Sequence, residues 1–372
     1  MAEITIVGDM LCSPRITEIA NGDYSPLFDK ANKLKNCDYL IGNLETPIAG
    51  SELKYTYERY RFNTPIEFLD AIKDCGFNML TLANNHCMDR DETGLLNTIR
   101  NCKEKGFDII GAYESEEERN KIFIKEIDGI KIAFLNYTYG TNAFAHNTFL
   151  KNKYMVNLIQ PEETKKGFIH LLNDYEQIAE DVKRIYIDKT DEYLEVKPYL
   201  EQLERDIKLA KENADYVIML LHCGGQYIEE VDPYSIFIEE KIKEFGADII
   251  IGNHQHIIQS CDLKDDYLKV YCLGNLMYDY RVMNEGYYFD SPSYNAVLHL
   301  DFSRDKNDKI HVDKSFSIYT TAFSESGLPI AMDSADVYNI SHESYVKSQI
   351  LHYANLFAGK NRYKNVKERY DL

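Results

Sequence analysis

An α/β fold organised around a largely parallel sheet is predicted by three features of this chain. Short apolar runs alternate with amphipathic segments through the first third, the pattern of βαβ units. The same rhythm returns after residue 198. Five of the apolar runs also end in Asp, Glu, Asn or His, and parallel sheets gather their ligands beyond the carboxyl ends of strands.

The elements follow in order. Strand Ile4 to Val7 runs into Gly8-Asp9, and a helix is expected over Pro26 to Lys35. Strand Tyr39 to Ile41 runs into Gly42-Asn43-Leu44-Glu45, followed by a helix over Pro65 to Cys75. Strand Met79 to Leu82 runs into Ala83-Asn84-Asn85-His86, with a helix over Glu92 to Lys105. Further strands fall at Asp108 to Gly111, Ile122 to Ile127 and Lys131 to Tyr137, the last two joined by Asp128-Gly129, a hairpin turn signal.

Between about residues 140 and 193 the rhythm breaks, and Phe168, Leu171, Leu172, Tyr175, Ile178, Val182 and Ile185 recur at helical spacing in a charged segment. It reads as an inserted helix, packed on the core or folded over the site. A helix from after Pro198 to about Asn213 leads into strand Tyr216 to Leu221 and His222. A helix from about Tyr234 to Phe245 leads into strand Asp248 to Ile251 and then Gly252-Asn253-His254-Gln255-His256. Leu268 to Leu273 is a strand ending in Gly274-Asn275, followed by a loop rich in tyrosine, Tyr278 to Tyr294, that borders the strand ends. Late strands lie near Ala296 to Phe302 and Ile310 to Ile318. From Asp333 a separate helical tail carries Tyr345, Ile350, Leu351 and Leu356 as its apolar positions. The expected division is one domain over 1–320, including the insertion, and a C-terminal extension over 321–372.

Composition excludes several classes. The chain has 372 residues, and its 61 acidic against 42 basic side chains give a net charge of -19, which repels nucleic acid and anionic membranes. No run of lysine or arginine offsets it, so no nucleic-acid partner is expected. Eight cysteines without Cys-x-x-Cys spacing read as small core residues of a reducing compartment. The first residues enter a strand directly, and no apolar run is long enough to cross a bilayer, so a cytoplasmic protein without membrane insertion is expected. There is no Gly-x-Ser-x-Gly elbow and no phosphate-binding Gly-x-x-x-x-Gly-Lys loop. Cys223 is no partner for His222, because adjacent strand residues face opposite ways.

The residues at the strand ends are the nitrogen and oxygen donors that divalent Mn, Fe or Zn accept. Asp9, Glu45, Asn85, His222, His254 and His256 are the candidate ligands for one or two such ions, with His86 placed to meet a leaving or transition-state oxygen. Asn85 also suits a left-handed turn, as does Asn84, for which the turn is the favoured reading. Asp89 is a candidate to orient His86, to cap the next helix or to touch substrate. Arg15 is either an anion clamp or a surface ion pair. Asn275 is a supporting residue of the ligands or a tight turn.

Taken together, these segments resemble the calcineurin-like metallophosphoesterase superfamily, and more closely its bacterial capsule-synthesis branch, the poly-γ-glutamate synthesis CapA family. The likeness is carried by Gly8-Asp9-Met10-Leu11 with Arg15, Gly42-Asn43-Leu44-Glu45-Thr46-Pro47, and Ala83-Asn84-Asn85-His86 with Asp89 and Gly94. It continues in His222-Cys223-Gly224-Gly225-Gln226-Tyr227, Gly252 to His256 and Tyr271-Cys272-Leu273-Gly274-Asn275, in the family's order over roughly residues 1 to 280. The resemblance implies a metallophosphoesterase-like sandwich of two mixed sheets flanked by helices. It also implies that the six candidate ligands surround metal and that His86 assists catalysis; Asp89 is a further catalytic candidate, Arg15, Asn43 and Tyr227 are candidate substrate contacts, and Asn84 and Asn275 are candidate supports of the site.

The chain departs from that pattern. Other phosphoesterases have a histidine two residues after the first aspartate, where this chain has Leu11, and a bridging aspartate at the position of Asn43. The capsule branch commonly carries Trp, Glu and Pro where Cys223, Gln226 and Gln255 stand. The implied activity is metal-dependent hydrolysis of a phosphoester, or of an amide such as a γ-glutamyl bond, in a small molecule or an anionic polymer. The alternative is a non-hydrolytic metal-binding subunit working with capsule-synthesis partner proteins.

Overall fold

The computed structural model describes residues 2–55, 60–162, 174–279, 281 and 293–372. Its strands in chain order are β1 (Ala2–Met10), β2 (Tyr39–Leu44), β3 (Met79–Thr81), β4 (Asp108–Ile110), β5 (Phe123–Ile127), β6 (Ile130–Thr138), β7 (Tyr216–His222) and β8 (Ile249–Asn253). They continue with β9 (Cys261–Lys264), β10 (Tyr267–Val270), β11 (Asn275–Met277), β12 (Tyr294–Arg304), β13 (Ile310–Phe323), β14 (Pro329–Asp333) and β15 (Tyr370–Asp371). One mixed sheet has the order β14-β13-β12-β1-β2-β3-β4, with β11 also paired to β1 and β15 to β13; the other runs β5-β6-β7-β8-β10-β9.

Period-two burial on both faces explains why the sheets stack. In β6 and β7, Ile132, Phe134, Ile218 and Leu220 face the first sheet, where they meet Ile4, Ile6, Tyr39 and Ile41. Their neighbours Ala133, Leu135, Val217 and Met219 face outward onto helices Asp191–Asn213 and Pro233–Phe245 through Leu203, Ile207, Ile238 and Ile242. The outer face of the first sheet carries Val7, Leu40 and Leu80, covered by Phe68 and Ile72 of helix Glu67–Asp74 and by Leu95 and Ile99 of helix Asp91–Glu104. The result is the expected sandwich of two mixed sheets flanked by helices. Each fully buried Ile or Phe contributes about 1.5–3 kcal/mol toward holding the layers together.

Several elements differ from expectation. Pro26 to Lys35 is not one helix but two short 3-10 turns, Ser25–Leu27 and Asn32–Lys35. The Asn32 side chain bonds Asp29 O between them, and such local bonds compete with the helical ladder. The helix expected after Pro198 begins earlier, at Asp191, with two acidic residues in its first turn. Pro198 is tolerated because the turn before it, at Leu194, faces solvent at 69% exposure. The strand expected over Leu268 to Leu273 stops early: β10 ends at Val270 in the second sheet, Gly274 turns with φ +83, and a new short strand, β11, joins β1 in the first. Ser13-Pro14 starts an unforeseen helix, Pro14–Ala20, with the Ser13 hydroxyl capping Ile16 N.

In the insertion, Ile178, Val182 and Ile185 of helix Tyr175–Val182 and the π-turn after it pack on the core of the second sheet, not over the strand ends. Phe168, Leu171 and Leu172 lie outside the described residues. The tail helices Ser334–Ser341 and Ser344–Phe357 follow β14, and Ile350, Tyr353 and Phe357 share one core with Leu298, Phe302 and Phe316 of β12 and β13. All eight cysteines are unpaired. Among the described residues no helix is long and apolar enough to cross a membrane.

Candidate metal centre

Five strands, β1, β2 and β3 of the first sheet and β7 and β8 of the second, end at one place. At Gly8 the pairing of β1 with β2 shifts register, and a Cβ there would lie 1.8 Å from the Gly274 carbonyl oxygen. Only glycine permits that approach, which sets Asp9 opposite both Asn43 and Asn275. His222 ends β7 on the inward face, whereas Cys223 turns into the outer core. After β8, His254 and His256 take positive φ values of 111° and 62°. Such backbone costs of order 1–3 kcal/mol per residue and persists where the surroundings enforce it. Here Asp9 Oδ2 accepts from His254 N at 3.1 Å, and Asn275 brackets His256 by accepting from or donating to it at Nδ1 (2.9 Å) and its carbonyl oxygen (2.8 Å).

The six candidate ligands converge. His222 Nε2 lies 2.9 Å from Asn85 Oδ1, 3.1 Å from His254 Nδ1 and 3.4 Å from Glu45 Oε1. Around the other side, His256 Nδ1 lies 3.5 Å from Asp9 Oδ2, and His256 Nε2 lies 3.9 Å from Glu45 Oε1. Ligand atoms of Glu45, His222 and His254 lie within 4.8 Å of one another, as do those of Asp9, Glu45 and His256. Glu45 belongs to both groups.

Unmet polar groups test whether this cradle suits a cation. Glu45 is 0% exposed, and neither of its oxygens receives a hydrogen bond. His254 Nε2 is likewise buried and unpartnered. A buried carboxylate without partners is costly, and a divalent ion is the chemistry that offsets it. The titration tendencies agree. Burial is the largest influence on all five groups: it drives His222 down to about 4, lowers His254 and His256, and raises Asp9 and Glu45. The imidazoles of His222, His254 and His256 are thus neutral near pH 7, with a lone pair to give, while for the carboxyls burial outweighs the neighbouring histidines that would favour their ionised form.

Asn43, expected to touch substrate, is 2% exposed and turned inward. Its amide nitrogen donates to Asp9 Oδ1 at 2.8 Å, and its oxygen accepts from Thr81 Oγ1 at 2.9 Å and Asn84 Nδ2 at 3.2 Å. Asn84 also donates to Leu44 O and accepts from His86 N, which fixes the sense of both amides. Asn43 therefore orders Asp9, and Glu45 stands where a bridge would be.

Beside the cradle, His86 Nδ1 lies 2.8 Å from Asp89 Oδ2, which also accepts from Phe62 N at 2.7 Å. Burial disfavours the imidazolium of His86. The charge and hydrogen bond of Asp89 outweigh it, helped by Glu45 and Asp9, so the pKa lies above the ordinary histidine range. Arg15, half exposed, lies 3.7 Å from buried Asp279. Tyr227 packs on the His256 ring at 5.2 Å and Tyr278 stacks on it at 5.9 Å, while Tyr280, Tyr287 and Tyr288 fall outside the described residues.

Sequence reasoning missed Phe62, 4.6 Å from the His86 ring, Tyr139, 4.7 Å from the His254 ring, and Asn142, whose Oδ1 accepts from Asn85 Nδ2 at 3.3 Å. Only Tyr139 carried a signal, since it directly follows a strand. Leu11, in place of a histidine, joins Phe62 and Tyr278 in a small apolar cluster.

Two packed sheets flanked by helices, with imidazoles and carboxylates meeting at the strand ends, define a metallophosphoesterase-like protein. The chain belongs to the family described as "Bacterial capsule synthesis protein PGA_cap", whose model matches residues 3–280. It is 28% identical over 284 residues to the capsule biosynthesis protein CapA of Bacillus anthracis, covering 74% of this chain and 59% of that protein. It is 25% identical over 285 residues to the PGA biosynthesis protein CapA of Bacillus subtilis (strain 168), covering 74% and 63%. The chain spans less than two thirds of the length of either relative. A crystal structure of a hypothetical protein from Thermus thermophilus aligns at 12% identity and a TM-score of 0.37, over 89% of this chain and 97% of that one.

Proposed function

We propose that this chain is a metal-dependent hydrolase of a phosphoester, or of an amide such as a γ-glutamyl bond, serving the synthesis of a capsule or poly-γ-glutamate polymer. One observation carries the reading: Glu45 is fully buried, accepts no hydrogen bond and is common to two groups of converging ligand atoms. The names of the two Bacillus relatives supply the polymer context. Glu45, His222, His254 and Asn85 would hold an ion at one position, and Asp9, Glu45 and His256 at a second, poorer one. A divalent ion, when bound, supplies a water that ionises near neutral pH and positive charge for developing oxyanions.

The remaining chemistry belongs to side chains. Asp89 fixes the His86 ring through Nδ1 and favours its protonated form, leaving Nε2 to give a proton to the leaving oxygen. Phe62 and Leu11 shield that side from bulk water.

Metal analysis followed by phosphatase and γ-glutamyl amidase assays, with His222→Ala and His254→Ala as controls, tests the reading. Hydrolysis that survives in both variants overturns it. A second reading, a metal-binding subunit of a polymer-synthesis complex, is favoured by Leu11 and Asn43, which leave the cradle one imidazole and one carboxylate poorer. Metal binding with no turnover in either assay selects that reading.

A further inference from the structure

Beside the cradle, one oxygen of a buried carboxylate is committed and the other is not. Asp89 is 0% exposed, and its Oδ2 accepts from Phe62 N at 2.7 Å and faces His86 Nδ1 at 2.8 Å. Oδ1 accepts no hydrogen bond from the described residues. The torsion that carries both oxygens is broad and nearly two-fold, so contacts at Oδ2 alone leave the carboxylate plane loosely defined.

Oδ1 is faced by Nε2 of His146, 3.5 Å away, on a side chain that is 13% exposed. His146 arrives there on the segment that follows β6. Asn142 and Asn147 take left-handed conformations, with φ 53° and 49°, at either end of a single helical turn, Ala143–His146. Thr141 Oγ1 and Leu150 N both donate to the Glu162 carboxylate, which ties the two ends of the segment together. The same segment brings Asn142 Oδ1 to Asn85 Nδ2, and Tyr139, just before it, lies against the His254 ring. The turn that carries His146 is therefore fastened to the cradle as well as to Glu162.

At 3.5 Å the contact is electrostatic, and a closure of about 0.5 Å makes it a hydrogen bond to an ionised group. Contacts around a catalytic acid are commonly long before substrate binds and tighten afterwards. With its proton on Nε2, His146 supplies the donor that Oδ1 lacks, while Oδ2 stays on His86.

We propose that His146 is a positioning residue for the proton donor: it fixes the Asp89 carboxylate through the oxygen that His86 leaves free, and so aims the His86 ring at the metal centre. The inference rests on the role given to His86 above and adds to it a residue from outside the ligand set.

The test uses the full chain, and its first readout needs no turnover. In the proton NMR spectrum of the metal-free protein, His86 Nδ1–H should give a downfield resonance protected from solvent, identified by its loss in His86→Gln. It should broaden or vanish through solvent exchange in His146→Leu and persist in His146→Gln, whose amide reaches Oδ1. His146→Asn, polar but too short, replaces the leucine variant if that one does not fold. An unchanged resonance in the leucine or asparagine variant, or none in wild type, overturns the positioning role.

Hydrolysis of a simple aryl phosphate by the Mn²⁺-loaded protein is the second readout. His146→Leu should lower kcat about tenfold, with KM and Mn²⁺ content unchanged. Added to Asp89→Asn it should cost little more, because both act through one carboxylate. Wild-type kcat in His146→Leu, or a full further tenfold loss on the Asp89→Asn background, overturns the proposal. If wild type hydrolyses no aryl phosphate, the phosphoester reading fails, whereas the resonance still decides whether His146 holds Asp89 in place.

Discussion

Glu45 Oε1 lies 3.4 Å from Nε2 of His222, yet the Glu45 carboxylate is fully buried and accepts no hydrogen bond. Its burial is an electrostatic liability for the metal-free protein and an asset once a cation arrives. The four expectations below follow from that pairing and its surroundings.

Glu45→Gln removes the unpaired charge and keeps the shape. Without metal, the variant should be more stable than wild type near pH 8, by about 1–3 kcal/mol. Addition of Mn²⁺ or Zn²⁺ should raise the melting temperature of wild type and leave the variant unmoved. Thermal melts with and without metal make the comparison, and an equal metal-induced rise in both proteins would sink the bridging role of Glu45.

His222 ties stability to pH. Its folded pKa of about 4 lies below the ordinary 6.5, so the unfolded state takes up the proton first as pH falls. Above about 6.5 nothing is lost, and the loss grows until about pH 4, to at most about 3 kcal/mol. Asp9 and Glu45, with raised values, act in the opposite sense in both proteins, and Asp9 more strongly in His222→Asn, which lacks the imidazole that lowers it. Urea unfolding of the metal-free proteins at pH 7 and pH 5 should show wild type losing more than His222→Asn.

Asp89→Asn tests the partner of His86. Metal content should be unchanged, while kcat on a simple aryl phosphate falls about a hundredfold. Because Asp89 holds the His86 pKa up, its removal moves the alkaline limb of the rate profile to lower pH. An unshifted limb would mean that another group donates the proton.

Leu11→His restores an imidazole next to Asp9, Glu45 and His256. Affinity for a second ion should rise about tenfold or more, at a stability cost of about 1–2 kcal/mol from the disturbed contact with Phe62 and Tyr278. Metal titration that still saturates at wild-type affinity would show that Leu11 does not limit the second position.

Strand ends were legible in the sequence because their signals are local. A buried run followed by Gly-Asp, Asn-Leu-Glu, Asn-Asn-His or Gly-Asn-His-Gln-His carries its turn chemistry within a few residues. Pro198 misled because proline in a helix is judged by its average cost, which falls where the preceding turn faces water. The early end of β10 at Val270 and the start of β11 at Asn275 depended on which sheet each would join, and that is decided by distant strands. The inward turn of Asn43 was invisible for the same reason: it is set by Asp9, Thr81 and Asn84, which belong to three other segments.

The cradle draws Asp9 from the first strand and His256 from beyond the eighth, and Asn275 holds His256 in place. A nascent chain emerging from the ribosome therefore cannot assemble it until most of its length has been made. Contacts so far apart in sequence form late, after local helices and hairpins. An ion held there could not serve as a template for early folding, and its uptake would mark a molecule in which both sheets have already closed.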